Sequence, residues 1–181
     1  MKWQEIPVRD PRTYRQGIRH MMAKIEVPLA IGIEIGLGWG VSAKTFLDLH
    51  PKIKLISVDI QTDLEARVVL QRVYPKQFVF VPWDAMPFLK NLDVIKCQWL
   101  YIDGGHEYDE VKRDIEIFEP MLVPGGVIAF DDFNNANPKY PYPGVKQAVD
   151  EFFSREGHRF KDFTAIHLSE TGPVCAVKKE W

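Results

Sequence analysis

The segment Glu34-Ile35-Gly36-Leu37-Gly38-Trp39-Gly40 constrains this 181-residue chain more than any other part of it. An apolar stretch, Leu29 to Ile35, runs into it, and a helical pattern, Val41 to Leu49, leaves it. Glycines at that junction let the backbone approach a ligand closely, because no Cβ intervenes, and the N–H groups that open the helix have no intrahelical partner. Strand, glycine turn and helix in that order describe the start of a βαβ unit that binds a ligand. Glycines alone would describe only a tight turn.

The same rhythm continues along the chain. Ile53 to Asp59 alternates as a strand, Leu64 to Val73 is helical, Phe78 to Val81 is a short strand and Met86 to Leu92 a helical turn. Trp99 to Ile102 reads as a strand. Glu107 to Met121 reads as a helix with Tyr108, Val111, Ile115, Phe118 and Leu122 on its buried stripe, and Pro124, Gly125 and Gly126 are expected to stop it. Val127 to Phe130 is a fifth strand. A helix over Val145 to Phe153 follows, then strands near Phe160 to Leu168 and over Val174 to Lys178, joined by a turn at Glu170 to Gly172. Strands alternating with helices give a right-handed, doubly wound parallel α/β sheet with helices on both faces. The last two strands lie too close in sequence for a parallel crossover, so they close the sheet as an antiparallel hairpin.

Ahead of this core, Asp10-Pro11 marks a helix start, and Tyr14, Ile18, Met21, Met22 and Ile25 recur at helical spacing. Arg12, Arg15, Arg19 and Lys24 fall on the other face, which reads as solvated. No repeat or linker divides the chain. One domain over residues 1–181 is expected, with a helical extension over 1–28 and the core over 29–181. A net charge of -2 and a pI near 6.2 exert no general pull on nucleic acid or anionic lipid. Charged residues interrupt Met1 to Arg15, so it lacks a signal-peptide core, and no stretch is long and apolar enough to span a bilayer. Cys97 and Cys175 have neither metal nor disulfide spacing and read as reduced core thiols. The expectation is a cytoplasmic protein with a small-molecule partner and neither membrane nor nucleic acid.

Asp59 ends the next strand about twenty residues past the glycine turn, where a carboxylate in an α/β fold accepts hydrogen bonds from ribose hydroxyls. The plain alternative is a strand-end helix cap. The stretch Glu34 to Ala43, EIGLGWGVSA, resembles motif I of class I S-adenosylmethionine-dependent methyltransferases, in particular the catechol O-methyltransferase-like group, and the resemblance covers almost the whole chain. It implies a Rossmann-like, seven-stranded, mostly parallel sheet with a C-terminal antiparallel hairpin, whereas a dinucleotide dehydrogenase would repeat its helical crossover. It also implies S-adenosyl-L-methionine bound at Glu34, Gly36, Gly38, Gly40, Ser42, Asp59, Asp84, Ala85 and Asp103. The glycines would pass under the methionine part, Ser42 would bind its carboxylate, Asp59 the ribose, and Asp84 and Ala85 the adenine edge. Trp83 would stack on adenine or serve as a core aromatic.

Strand four ends in Tyr101-Ile102-Asp103-Gly104-Gly105-His106 and strand five in Phe130-Asp131-Asp132-Phe133, so three carboxylates reach one sheet edge. A hard divalent cation relieves their repulsion. Metal-dependent O-methyltransferases bind their metal at the corresponding positions, which implies Mg2+ at Asp103, Asp131 and Asp132. Otherwise Asp131 or Asp132 caps the following loop and Asp103 binds the cofactor through solvent. His106 stands where that family carries a catalytic lysine. With Asp103 it forms the expected catalytic pair, since a neutral imidazole accepts a proton at physiological pH, or it is simply a polar helix-capping residue.

The loop Phe133 to Gly144, with Asn134, Asn135, Asn137, Tyr140 and Tyr142, begins at this edge and either shapes the acceptor pocket or forms a surface connection. That pocket is open or is completed by a second subunit of a homo-oligomer. The reaction implied is metal-assisted O-methylation of a small hydroxylated acceptor. One rival is a metal-independent methyltransferase acting on nitrogen or nucleic acid, which the missing Pro-Pro-aromatic motif and the charge disfavour. The others are a non-catalytic adenosyl-ligand binding module and a nucleotide-dependent dehydrogenase.

Overall fold

The computed structural model describes residues 11–85, 95–133, 141–165 and 174–179. The helix start at Asp10, the helical turn Met86 to Leu92, Asn134 to Tyr140 of the acceptor loop and the turn Glu170 to Gly172 lie outside the described residues. Helix α1 (Pro11–Met22) precedes β1 (Ile31–Ile35), α2 (Val41–Leu49), β2 (Lys54–Asp59), α3 (Glu65–Val73), β3 (Phe78–Pro82) and a 3-10 turn at Trp83–Ala85. Then come β4 (Cys97–Ile102), α4 (Tyr108–Phe118), β5 (Leu122–Phe130), α5 (Pro143–Glu156), β6 (Phe160–Ala165) and β7 (Val174–Lys178).

The strands form one seven-stranded sheet in the order β3-β2-β1-β4-β5-β7-β6. The first five are parallel, and β7 runs antiparallel to both β5 and β6, as the short connection requires. Strand order reverses between β1 and β4, and in open α/β sheets the crevice at such a reversal is where ligands bind.

Side-chain alternation supplies two cores from one sheet. Leu100, Ile102, Ile128 and Phe130 face α4 and α5, meeting Val111, Ile115, Phe118, Val149 and Phe152. Their neighbours Trp99, Tyr101, Val127 and Ala129 face the other way and pack with Ile18, Met21, Phe46, Leu47 and Leu70 of the first three helices. Each such fully buried large side chain stabilises the fold by about 1.5–3 kcal/mol. Gly32 makes room for the Trp99 indole, because a Cβ there would lie 1.8 Å from the ring. No helix among the described residues is long and apolar enough to cross a membrane.

The middle of the chain departs from expectation. The α-helix ends at Phe118 and tightens into a 3-10 turn at Glu119–Met121, because Pro120 has no N–H to continue the ladder. Pro124, Gly125 and Gly126 do not stop a helix; they lie within β5, which begins at Leu122 rather than Val127. Cys97 pairs with Leu122 and Trp99 with Val127, so β5 carries three residues more than β4 between the same two rungs. Gly125, at φ 76, supplies the left-handed backbone that this irregularity needs.

Candidate active site

Glycine conformation builds the first half of the site. Gly36 has φ 90 and donates its N–H to the Val58 carbonyl at 2.8 Å, and a Cβ on it would lie 1.9 Å from the Asp103 carbonyl oxygen. The turn after β1 therefore packs directly on the exit of β4. Gly40, at φ 73, opens α2, and a Cβ there would press at 3.0 Å on Ala66 and Leu70. Gly38, at φ 47, has nothing within 4 Å of where its Cβ would be, leaving that side of the turn open. Trp39 between them is 66% exposed.

Two carboxylates hold the turn from below. Asp59 Oδ2 accepts the N–H groups of Leu37 at 2.7 Å and Gly38 at 3.2 Å, while Oδ1 accepts that of Gln61 at 2.8 Å. Glu34 is fully buried and accepts hydrogen bonds from the hydroxyls of Ser42 and Ser57. Burial pushes its carboxyl up to about 7, partly offset by those two hydroxyls. Ser42 is thus turned inward onto Glu34. Asp84 and Ala85 lie in the 3-10 turn after β3, whose last residue, Pro82, pairs with Asp59. Trp83 packs on Phe118 at 5.9 Å, with the Arg113 guanidinium 4.5 Å above its ring, so its surroundings are those of a core aromatic.

The second half lies at the ends of β4 and β5. Asp103 and Asp131 extend the sheet, donating their N–H groups to Ile35 and Ile102. Ligand atoms of Asp103, His106 and Asp132 come within 4.8 Å of one another. His106 Nε2 stands 2.9 Å from Asp132 Oδ2, and the imidazole stacks on Tyr142 with centroids 3.9 Å apart and planes 13° from parallel. Asp132 is 7% exposed and has φ 56, a left-handed backbone that an aspartate tolerates better than most residues. Asp131 lines the same cleft, and its Oδ2 accepts the Tyr101 hydroxyl at 2.9 Å and its Oδ1 the Asp132 N–H. Of the expected Asp103, Asp131 and Asp132 set, the structure brings the first and last together and supplies His106 as the third group. These residues line a small cleft at the sheet edge.

Asp114 was not singled out by the sequence. It sits on the inner face of α4, 2% exposed, with Oδ2 3.1 Å from where a Cβ on Gly104 would be and Arg113 Nη2 3.5 Å from Oδ1. Burial raises its carboxyl to about 6. Its place between Val111 and Ile115 was the available signal, a carboxylate on an otherwise apolar stripe. Cys97 is a core thiol, raised to about 12 by burial and so inert.

Comparison with known proteins agrees with this fold. Fold similarity extends to an O-methyltransferase from Bacillus cereus in complex with SAH, at 16% identity over 97% of this chain and 84% of that one, with TM-score 0.69. It extends also to an SAH-bound methyltransferase of Podospora anserina, PaMTH1, at 15% identity over 91% and 78%, with TM-score 0.67. MycE methyltransferase from the mycinamycin biosynthetic pathway, in complex with Mg, SAH and mycinamycin VI, matches at 15% identity over 90% of this chain and 48% of its own, with TM-score 0.63. No curated protein matches the sequence. The methyltransferase domain family matches residues 33–133, a segment that carries the glycine turn, Asp59, Asp103, His106 and the Asp131-Asp132 pair. With that match over more than half its length, the chain belongs to the methyltransferase domain family and is a class I, S-adenosylmethionine-dependent methyltransferase.

Proposed function

We propose that the protein methylates a hydroxyl oxygen of a small acceptor, with His106 as general base and a divalent cation, Mg2+ first among candidates, beside it. The observation that carries this reading is the convergence of Asp103, His106 and Asp132 against the cofactor turn, where Gly36 meets the Asp103 carbonyl. Two carboxylates that close suit a hard cation, and the MycE complex contains Mg. The carboxylates of Asp103 and Asp132 would hold it. Asp131, which lines the same cleft, would join them without giving up the Tyr101 hydroxyl, because a carboxylate offers about four lone-pair sites.

When bound, the cofactor supplies an activated sulfonium methyl and the cation makes an acceptor hydroxyl more acidic. The chain's own residues do the rest. Asp59 would take the ribose hydroxyls, and Gly36, Gly38 and Gly40 would let the methionine part lie against the backbone. With Nε2–H donated to Asp132, the neutral imidazole of His106 would keep its lone pair on Nδ1 and would take the proton of the acceptor hydroxyl, freeing that oxygen to receive the methyl group. Asp132 then stabilises the imidazolium. Positioning the acceptor in line with the methyl contributes most of the rate.

Calorimetric titration of S-adenosylmethionine with and without magnesium, followed by methylation assays on phenols, sugars and aliphatic alcohols, tests the reading. His106→Ala should slow turnover by on the order of 10²–10⁴-fold with cofactor affinity nearly intact. Equal loss of both would reject His106 as base. Turnover undiminished by chelator would remove the metal, and cofactor binding without transfer to any acceptor would favour a non-catalytic binding module.

A further inference from the structure

We propose that Tyr142 is a positioning residue for His106: its ring clamps the imidazole so that Nε2 stays on Asp132 and Nδ1 is presented to the acceptor. This rests on the reading of His106 as the base. A hydrogen bond to Asp132 fixes one point of the ring. It does not fix the ring plane, because the second side-chain torsion of histidine is broad and roughly two-fold. A flip would exchange Nε2 for a carbon and leave Asp132 without its donor. The nearly parallel Tyr142 ring, 3.9 Å away, supplies the missing restraint: a flip ends in the same plane, but to reach it the imidazole must swing edge-on into the ring that covers its face.

The clamp is itself held rigidly. Tyr142 immediately precedes Pro143, the first residue of α5, and proline confines the backbone of the residue before it. The Tyr142 carbonyl accepts the Val145 N–H at 3.2 Å, tying it to the first turn of that helix. Two residues on, a Cβ at Gly144 would lie 2.5 Å from the Tyr108 nitrogen and 2.6 Å from the His106 carbonyl oxygen. The start of α5 is thus seated on the backbone that flanks His106. Ring and imidazole are referred to the same local frame, and a loop motion that carried away one would have to carry away both.

The test is selective nitrogen NMR of histidine-labelled protein, with His106→Asn used for assignment, at a pH where the imidazole is neutral. Wild type and Tyr142→Phe should show a single His106 tautomer protonated at Nε2, with ring protons shifted upfield by the neighbouring aromatic face. Tyr142→Ala should lose that upfield shift and show averaging between the two tautomers. Tyr142→Leu, which fills the space without a flat face, should do the same and serves if the alanine variant fails to fold. A single Nε2–H tautomer kept in a folded Ala or Leu variant would overturn the proposal, whatever happens to the ring shift, as would loss of the single tautomer in Tyr142→Phe. Wild-type turnover by His106→Ala would overturn the base reading alone, because the tautomer measurement needs no acceptor.

Discussion

Enclosed beneath the glycine turn, the Glu34 carboxyl holds its proton to about pH 7, whereas the unfolded chain releases it near 4.5. The folded state therefore binds the extra proton within that interval. Its stabilisation is complete below about 4.5 and is lost as the pH rises toward about 7. A difference of that size is worth roughly 3 kcal/mol over the interval. Asp114 acts with the same sign from 3.8 to about 6. Urea unfolding of Glu34→Gln should lose the fall in stability that the native protein shows between about pH 6 and about pH 7, while keeping the Asp114 part at lower pH. A native slope in the variant over that upper range would place the proton on another group. Glu34 was legible in the sequence as the first residue of a motif. Its enclosure was not, because Ser57 reaches it from the neighbouring strand.

The glycine turn and the exit of β4 behave as one element, and their two central glycines should respond differently to the same methyl group. In Gly36→Ala the new Cβ meets a backbone carbonyl at 1.9 Å in a residue already at φ 90. Neither can shift cheaply, so a loss on the order of 3 kcal/mol or more is expected. Gly38→Ala meets open space and should cost about 1–2 kcal/mol for its left-handed backbone. The second variant should fold yet bind S-adenosylmethionine poorly, a contrast that thermal unfolding and calorimetry would read directly. Element types were largely legible, since hydrophobic periodicity fixes which face is buried; α2 and β7 match their expected bounds, Val41–Leu49 and Val174–Lys178. The start of β5 was not. Pro124-Gly125-Gly126 carries the local signature of a stop, and only pairing with a strand more than twenty residues earlier shows it to be an irregularity within β5. At the acidic edge the sequence brought three aspartates together but could not show that Tyr101, on the neighbouring strand, would hydrogen-bond Asp131 or that His106 would reach Asp132.

For the whole molecule, the family match ends at residue 133, and the hairpin lies beyond it. A buried charge cluster fastens that hairpin to the rest. The Lys178 side chain, 8% exposed, places Nζ 2.9 Å from Glu119 Oε1 and donates to the Leu122 carbonyl, while Arg159 Nη2 reaches the same Glu119 oxygen at 2.9 Å. Lys178→Met should cost on the order of 1–3 kcal/mol in urea unfolding, because an enclosed carbonyl loses its donor while Glu119 keeps Arg159. Unchanged stability would show that Arg159 suffices. The overall topology was legible because a short connection admits only an antiparallel partner; the charge cluster was not, since its members are distant in sequence. Asp59, at the opposite side of the molecule, bears on how quickly it can work. A carboxylate offers about four lone-pair sites, and three amides already use this one. Two ribose hydroxyls would need two. Cofactor capture would then be a trade of partners, not a simple gain, and its speed would depend on how readily the turn gives up one of its own amide bonds.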